Sequence, residues 1–245
     1  MTKKLRWLLL LIILLIATGG MKGFVTAQSG DELFFPETGH WVTNEFLDKY
    51  NNTPNNQNLY GAPITDAFID EETGLKIQYF EKARFELHPD APADLRVQLT
   101  HIGEYLYSPG DPLPVPPNFP SCRYFPETEH KVCYTFLDFF EENGGIPQFG
   151  YPISGFESHD GWISQYFQRA RFEWHPERPK GEQVILTDLG RRFFQFKGEN
   201  PTLLQPNPKD AAAIPAVTSL RVHAFVSKPI TSTSSEQTLH VIVFD

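Results

Sequence analysis

Cysteine is nearly absent: Cys122 and Cys133 are the only two among 245 residues. That excludes a small fold stapled by a disulfide framework, and with no CxxC pair it removes the common zinc-ribbon and thioredoxin arrangements. HExxH, P-loop and GxGxxG sequences are missing as well, so the usual signatures of a zinc protease, a nucleoside triphosphatase or a dinucleotide enzyme are not there. Positive charge is also scarce, with 21 Lys and Arg against 30 Asp and Glu and a formal net charge of −9. A surface that tracks nucleic-acid phosphates is therefore not expected. Long apolar runs are lacking too: the longest, residues 8–17, is short of the roughly 20 residues that span a bilayer.

Aromatic residues, by contrast, are abundant: 21 Phe, 9 Tyr and 4 Trp. Side chains of this size supply ample apolar area for a core, and they exclude global disorder. The first residues carry Lys3, Lys4 and Arg6, followed by the apolar run and then Val25-Thr26-Ala27. This cationic, apolar, small-residue order predicts a secretory signal over residues 1–27, cleaved after Ala27, with no stable membrane span afterwards. Lys22 completes four basic residues unmatched by any acid in that segment, so the mature chain is still more acidic. Export places the protein outside the cytoplasmic membrane, where a disulfide persists. We expect Cys122 and Cys133 to form one, because the intervening turn brings them back together. Glu32 and Thr43 stand at the matching earlier positions.

Those matching positions belong to a long internal repeat. Phe-Pro-Glu-Thr-Gly-His at 35–40 returns as Phe-Pro-Glu-Thr-Glu-His at 125–130, and Val42, Phe46, Leu47 and Tyr50 return as Val132, Phe136, Leu137 and Phe140. Tyr60-Gly-Ala-Pro-Ile matches Phe149-Gly-Tyr-Pro-Ile, and Gln78-Tyr-Phe-Glu-Lys-Ala-Arg-Phe-Glu-Leu-His-Pro matches Gln165-Tyr-Phe-Gln-Arg-Ala-Arg-Phe-Glu-Trp-His-Pro. The period predicts two related modules, residues 31–107 and 121–196. Between them the proline-rich stretch 108–120 reads as an extended spacer rather than a core element. Residues 197–218 read as a second linker.

Within each module, the spacing of Val42, Phe46, Leu47 and Tyr50 predicts a helix that Thr43 or Asn44 can cap. Alternation over 76–80 and 84–88 predicts a β-hairpin. Thr100 and Thr187 each precede a short helical pattern. The expected fold class is α+β, two tandem units of helix, hairpin and short helix. The tail, 219–245, alternates as β-strands, with 239–244 apolar on both faces, and reads as an incomplete immunoglobulin-like β-sandwich segment whose remainder lies beyond Asp245.

The Phe-Pro-Glu-Thr-x-His, Phe-Gly-Tyr-Pro-Ile-Ser and Gln-Tyr-Phe-x-x-Ala-Arg-Phe-Glu-x-His-Pro motifs resemble a family of uncharacterised modules found singly or paired in secreted bacterial proteins. The resemblance covers residues 33–194. More distantly, the aromatic-Gly-x-Pro segments (60–63 and 149–152) are similar to the LGFP repeat, which is associated with bacterial cell walls. The resemblance implies a surface protein whose partner is a cell-wall glycan or another surface protein. It supplies no catalytic residues and no cofactor.

Three sets of residues invite a functional reading. Arg84, Glu86 and His88 share one face of a strand, and Arg171, Glu173 and His175 repeat that row. A carboxylate beside an imidazole can move protons, but the row also fits an outer polar face with modest exposed ion pairs. Its duplication favours scaffold or bivalent binding over a single catalytic constellation. Glu37, His40, Glu127 and His130 are candidate ligands or a catalytic pair, with a helix-capping turn as the alternative we favour, so no metal is expected. Trp41, Trp162 and Trp174 replace Lys131, Leu75 and Leu87 of the other copy, which makes them candidate contact residues, with core packing as the alternative. The leading expectation is a non-catalytic binding or anchoring protein of the cell surface. Its rivals are a secreted hydrolase using carboxylates among Glu37, Glu86, Glu127 and Glu173, and a plain structural spacer.

Overall fold

Phe46, Leu47 and Tyr50 do share the buried side of a helix, α1 (Asn44–Asn52), in a computed structural model that describes residues 32–114, 121–207, 221–226 and 239–244. The expected signal segment lies outside the described residues. Val42, grouped with that helix by spacing, belongs instead to a strand, β2 (His40–Thr43), paired antiparallel with β1 (Glu32–Phe35). The Pro-Glu-Thr-x-His segment is the turn of this hairpin, with the amides of Thr38 and Gly39 donating to the Phe35 carbonyl. The capping role expected for it is not found: neither α1 nor its counterpart Tyr134–Glu142 has a side-chain cap. Strand pairing satisfies the segment's backbone first. In the second half the same hairpin joins Cys122–Phe125 to His130–Cys133, and its end pair, Cys122 opposite Cys133, closes the expected disulfide. Glu32 opposite Thr43 occupies that place in the first half.

The chain is mixed α+β, with more strand than the sequence announced. In the first half the hairpin Lys76–Tyr79 and Arg84–Leu87 is extended by Phe68–Ile69 on one side and Val97–Leu99 on the other, all antiparallel. In the second half Trp162–Tyr166 and Arg171–Trp174 gain Glu157–His159 and Val184–Leu186, and a fifth strand comes from the proline-rich stretch. Asp111–Pro112 pairs with Ser158 and Glu157. That part of the stretch is an edge strand rather than a spacer, a position where the missing proline N–H costs no ladder bond. The tail strands Arg221–Val226 and Leu239–Phe244 pair antiparallel with each other.

One side of each sheet carries an aromatic core. Phe80 and Phe85 lie 4.4 Å apart, and Tyr60 meets Phe85 edge-on at 4.8 Å; Phe167 and Phe172 lie 4.3 Å apart, and Phe149 meets Phe172 at 4.8 Å. Such tilted and edge-to-face geometries match the ring quadrupoles. Gly61 and Gly150, both at a φ near +75°, turn the chain beneath these rings, and a Cβ there would strike Glu81 or Gln168. The core runs across both halves, bridged where Tyr60 hydroxyl donates to Gln148 Oε1 at 2.9 Å.

On the other side the halves exchange helices. The short helix Ile102–Leu106 lies on the hairpin turn of the second sheet, with the Gly103 amide 2.9 Å from the Gln168 carbonyl. The last helix, Leu189–Lys197, lies on the equivalent turn of the first sheet, with the Arg191 amide 3.1 Å from the Glu81 carbonyl. A second apolar cluster fills this seam, with Ile64, Ile77, Tyr79 and Ile102 from one half and Tyr166, Leu189, Phe193 and Phe194 from the other. Glycine makes the approach possible: a Cβ on Gly103 would stand 1.9 Å from the Phe167 carbonyl oxygen, and one on Gly190 2.0 Å from that of Phe80. In an ordinary helix, Gly→Ala gains about 1 kcal/mol. Here Gly103→Ala and Gly190→Ala are each expected to cost about 1–3 kcal/mol through overpacking against backbone. Thermal denaturation of both variants reads the sign directly, and a raised Tm in either would contradict the exchange.

Candidate functional site

The Arg-Glu-His rows are not an exposed face. Arg84 and Arg171 are 5% and 2% exposed, Glu173 and His175 are also buried, and Glu86 and His88 are half-buried. The sequence pattern shows that these residues share a face but not that the opposite half covers it: Phe193 of the last helix sits over the Arg84 guanidinium at 5.1 Å. Arg84 donates to Thr100 Oγ1 (2.8 Å), Glu86 Oε1 (2.7 Å) and the Tyr79 hydroxyl (3.4 Å), and pairs with Asp70 at 3.5 Å. Arg171 repeats this with Thr187 (2.7 Å), Glu173, the Tyr166 hydroxyl (3.3 Å) and Asp160 (2.9 Å). His88 and His175 each stand 3.2 Å from the second oxygen of their glutamate. His175 also meets Glu177 at 2.9 Å and lies 3.9 Å from the Trp162 ring.

The two glutamates of the rows, Glu86 and Glu173, are held ionised. Burial pushes the Glu173 carboxyl upward, but the His175 hydrogen bond, the Arg171 charge and the Thr187 hydroxyl outweigh it and bring it down to about 2. Glu86 is lowered in the same way, with Thr100 and Arg84 overcoming burial. His175 is raised: burial opposes its charge, and Glu173 and Glu177 favour it. A carboxylate held ionised between an arginine and a histidine is a poor general acid. The row ties each sheet to the strand end and helix start behind it.

The other candidates are dispersed. His40 is buried and stands 3.4 Å from Asp66, while Glu37 is exposed; Glu127 reaches Tyr151 at 3.4 Å. Among the described residues no group of three His, Cys, Asp or Glu could hold a metal ion, and no helix is long and apolar enough to cross a membrane. Trp41 works within the chain: its indole donates to the Asn207 carbonyl at 3.1 Å, and Asn207 also reaches Asp66 and the Gly39 carbonyl. Lys131, at the matching place, has no indole with which to form such a tie.

Trp174 alone among the sequence candidates faces an apolar cleft, of about 350 Å³, whose walls include Leu113, Tyr134, Phe136, Phe156 and Ile163. Sequence reasoning missed Tyr134, Phe156 and Ile163, although the comparison of copies that singled out the tryptophans would have found them. Their counterparts are Asn44, Ala67 and Lys76, and Trp174 itself replaces Leu87. In the first half Lys76 instead lies over the Phe46 ring at 5.6 Å. Tyr134 adds a backbone signal: it holds a left-handed φ of 56°, as Asn44 does at 51°. Asparagine accepts that region readily and tyrosine does not. Tyr134 thus holds a costly backbone conformation at the wall of the cleft. Comparison of the chain with protein-family models, curated proteins and solved structures found no match.

Two outcomes follow. Glu173 titrates in the folded chain below its ordinary 4.5, so its contribution is complete above pH 4.5 and is lost as pH falls toward 2. His175 titrates above its ordinary 6.5, so its contribution is complete below pH 6.5 and is lost as pH rises past its folded value. Urea denaturation across pH is thus expected to peak near pH 5–6.5, and Glu173→Gln to cost about 3 kcal/mol and flatten the acid limb. An acid limb unchanged by that substitution would refute the assignment. Separately, Tyr134→Asn should raise stability by about 1 kcal/mol by relieving the left-handed strain; a destabilised variant would mean that the ring's packing outweighs it.

Proposed function

We propose that this chain is a non-catalytic binding or anchoring protein that works outside the cytoplasmic membrane, built from two copies of one module, the second of which carries an apolar ligand cleft. The observation that carries this reading is the divergence of the two copies at one place: Asn44, Ala67, Lys76 and Leu87 against Tyr134, Phe156, Ile163 and Trp174. Between copies that otherwise keep their core aromatics, four lining positions all shifted toward larger apolar or aromatic surface support selection for an occupant. Aromatic faces stack on sugar rings and on apolar side chains alike, which suits a cell-wall glycan or a surface protein. The export-type leader and the disulfide are consistent with an oxidising compartment. The hydrolase alternative is disfavoured because Glu86 and Glu173 are locked in ion networks.

The test is binding of the full mature chain to purified wall fractions and to a glycan array, beside Tyr134→Asn and Trp174→Ala. Both variants are expected to weaken binding at least tenfold, the first without loss of Tm. Binding unaffected by either would move the site elsewhere, and no binding to any fraction would favour the spacer reading.

A further inference from the structure

We propose that a second cleft, at the seam between the halves, binds an extended acidic peptide by adding it as a strand to the free edge of the second sheet. Val184–Leu186 is the terminal strand of that sheet. The direction of its hydrogen bonds is fixed by its ends: the Gln183 carbonyl accepts from the His175 amide (2.7 Å), and the Thr187 amide donates to the Arg171 carbonyl (3.0 Å). In an antiparallel ladder alternate residues bond inward, so 183, 185 and 187 face Arg171–Trp174, and the N–H and C=O groups of Val184 and Leu186 point out from the edge. Among the described residues no hydrogen bond from another element reaches them. A buried backbone group without a partner demands water or a ligand.

The edge opens on a cavity of about 330 Å³, which these three residues line together with Asn58 and Lys82 of the first half and Arg178 of the second. Exposed edges are normally protected by a lysine, a proline or a bulge; Val184-Ile185-Leu186 has none of these and borders the cavity instead. The opposite edge of the same sheet is the two-residue strand Asp111–Pro112, which is short and carries a proline. Peptide is favoured over sugar because outward donor and acceptor groups recur every second residue, about 6.8 Å apart, the repeat of an extended chain. Charge sets the preference. Lys82 reaches the Asn58 carbonyl at 3.1 Å, and Arg178 lies 3.8 Å from Glu182, so two cations face one acid in a chain whose formal net charge is −9. Acidic side chains flanking the added strand would meet both cations.

This inference deepens the binding reading by naming a partner class, but it uses a site distinct from the aromatic cleft, so the two can fail separately. The experiment titrates the full mature chain with a fluorescent seven-residue peptide of alternating Val and Glu, against the same peptide N-methylated at alternate residues and a Val-Lys version. The acidic peptide is expected to bind, with the other two and the Lys82→Glu variant at least tenfold weaker. Amide exchange at Val184 and Leu186 should slow on binding, while Ile185, already bonded, stays unchanged. Equal binding of the N-methylated peptide, or no added protection at Val184 and Leu186, overturns strand addition. A glycan that protects those amides in place of the peptide overturns it too while leaving the binding reading intact. Tyr134→Asn, which removes the other cleft's ring, should leave the peptide titration unmoved.

Discussion

Two glycine-to-carbonyl contacts hold the rest of this structure in place. Gly103 rests on the second hairpin turn and Gly190 on the first, each so close that a methyl group would overlap the Phe167 or Phe80 carbonyl oxygen. The contacts are reciprocal: each half's helix covers the hairpin turn of the other half's sheet. Tyr79 then packs on Phe194 at 5.2 Å, joining a strand of the first half to the last helix, and Tyr166 packs at 5.1 Å on Tyr107, the residue that follows the short helix Ile102–Leu106. Without the exchange, Arg84 would lose the cover of Phe193, and its ion pairs would weaken to the small worth of exposed ones.

Covering the rows changes what they can do. A buried arginine is tolerable only when its donors are satisfied and its charge is matched. Arg84 and Arg171 meet that demand with two carboxylates, a threonine and a tyrosine each. The same demand prevents the carboxylates from acting as mobile acids. The repeated polar motif, the most enzyme-like pattern in the chain, is thereby committed to architecture, and the two clefts lie away from it, where the copies differ or meet. Lys82 and Arg178 come to one cleft only because the halves are joined.

Much of this was legible in the sequence. The buried Phe46, Phe80, Phe85 and their partners, the hairpins and the Cys122–Cys133 pair all follow from local spacing and from matching positions. The extra strands were not. Phe68–Ile69 and Asp111–Pro112 are two residues long, too short for alternation to register, and proline argues against a strand unless the strand is an edge. The exchange was hidden for a different reason. Thr-x-Ile-Gly at 100–103 and Thr-x-Leu-Gly at 187–190 mark a helix start, but nothing local tells which sheet that helix will cover. The burial of the rows was hidden too, because period-two alternation separates two faces without saying which one meets solvent. Tyr134 and Phe156 carry no local signal of their own and stand out only against Asn44 and Ala67.

The central claim is that the two halves form one folding unit held by exchanged helices, and the most direct measurement is to cut between them. With a protease site inserted between Pro114 and Ser121 no covalent link remains after cleavage, since the disulfide lies wholly within the second half. The two pieces are expected to stay together through gel filtration at micromolar concentration and to unfold in a single transition. Pieces that separate, each with its own transition, would contradict it.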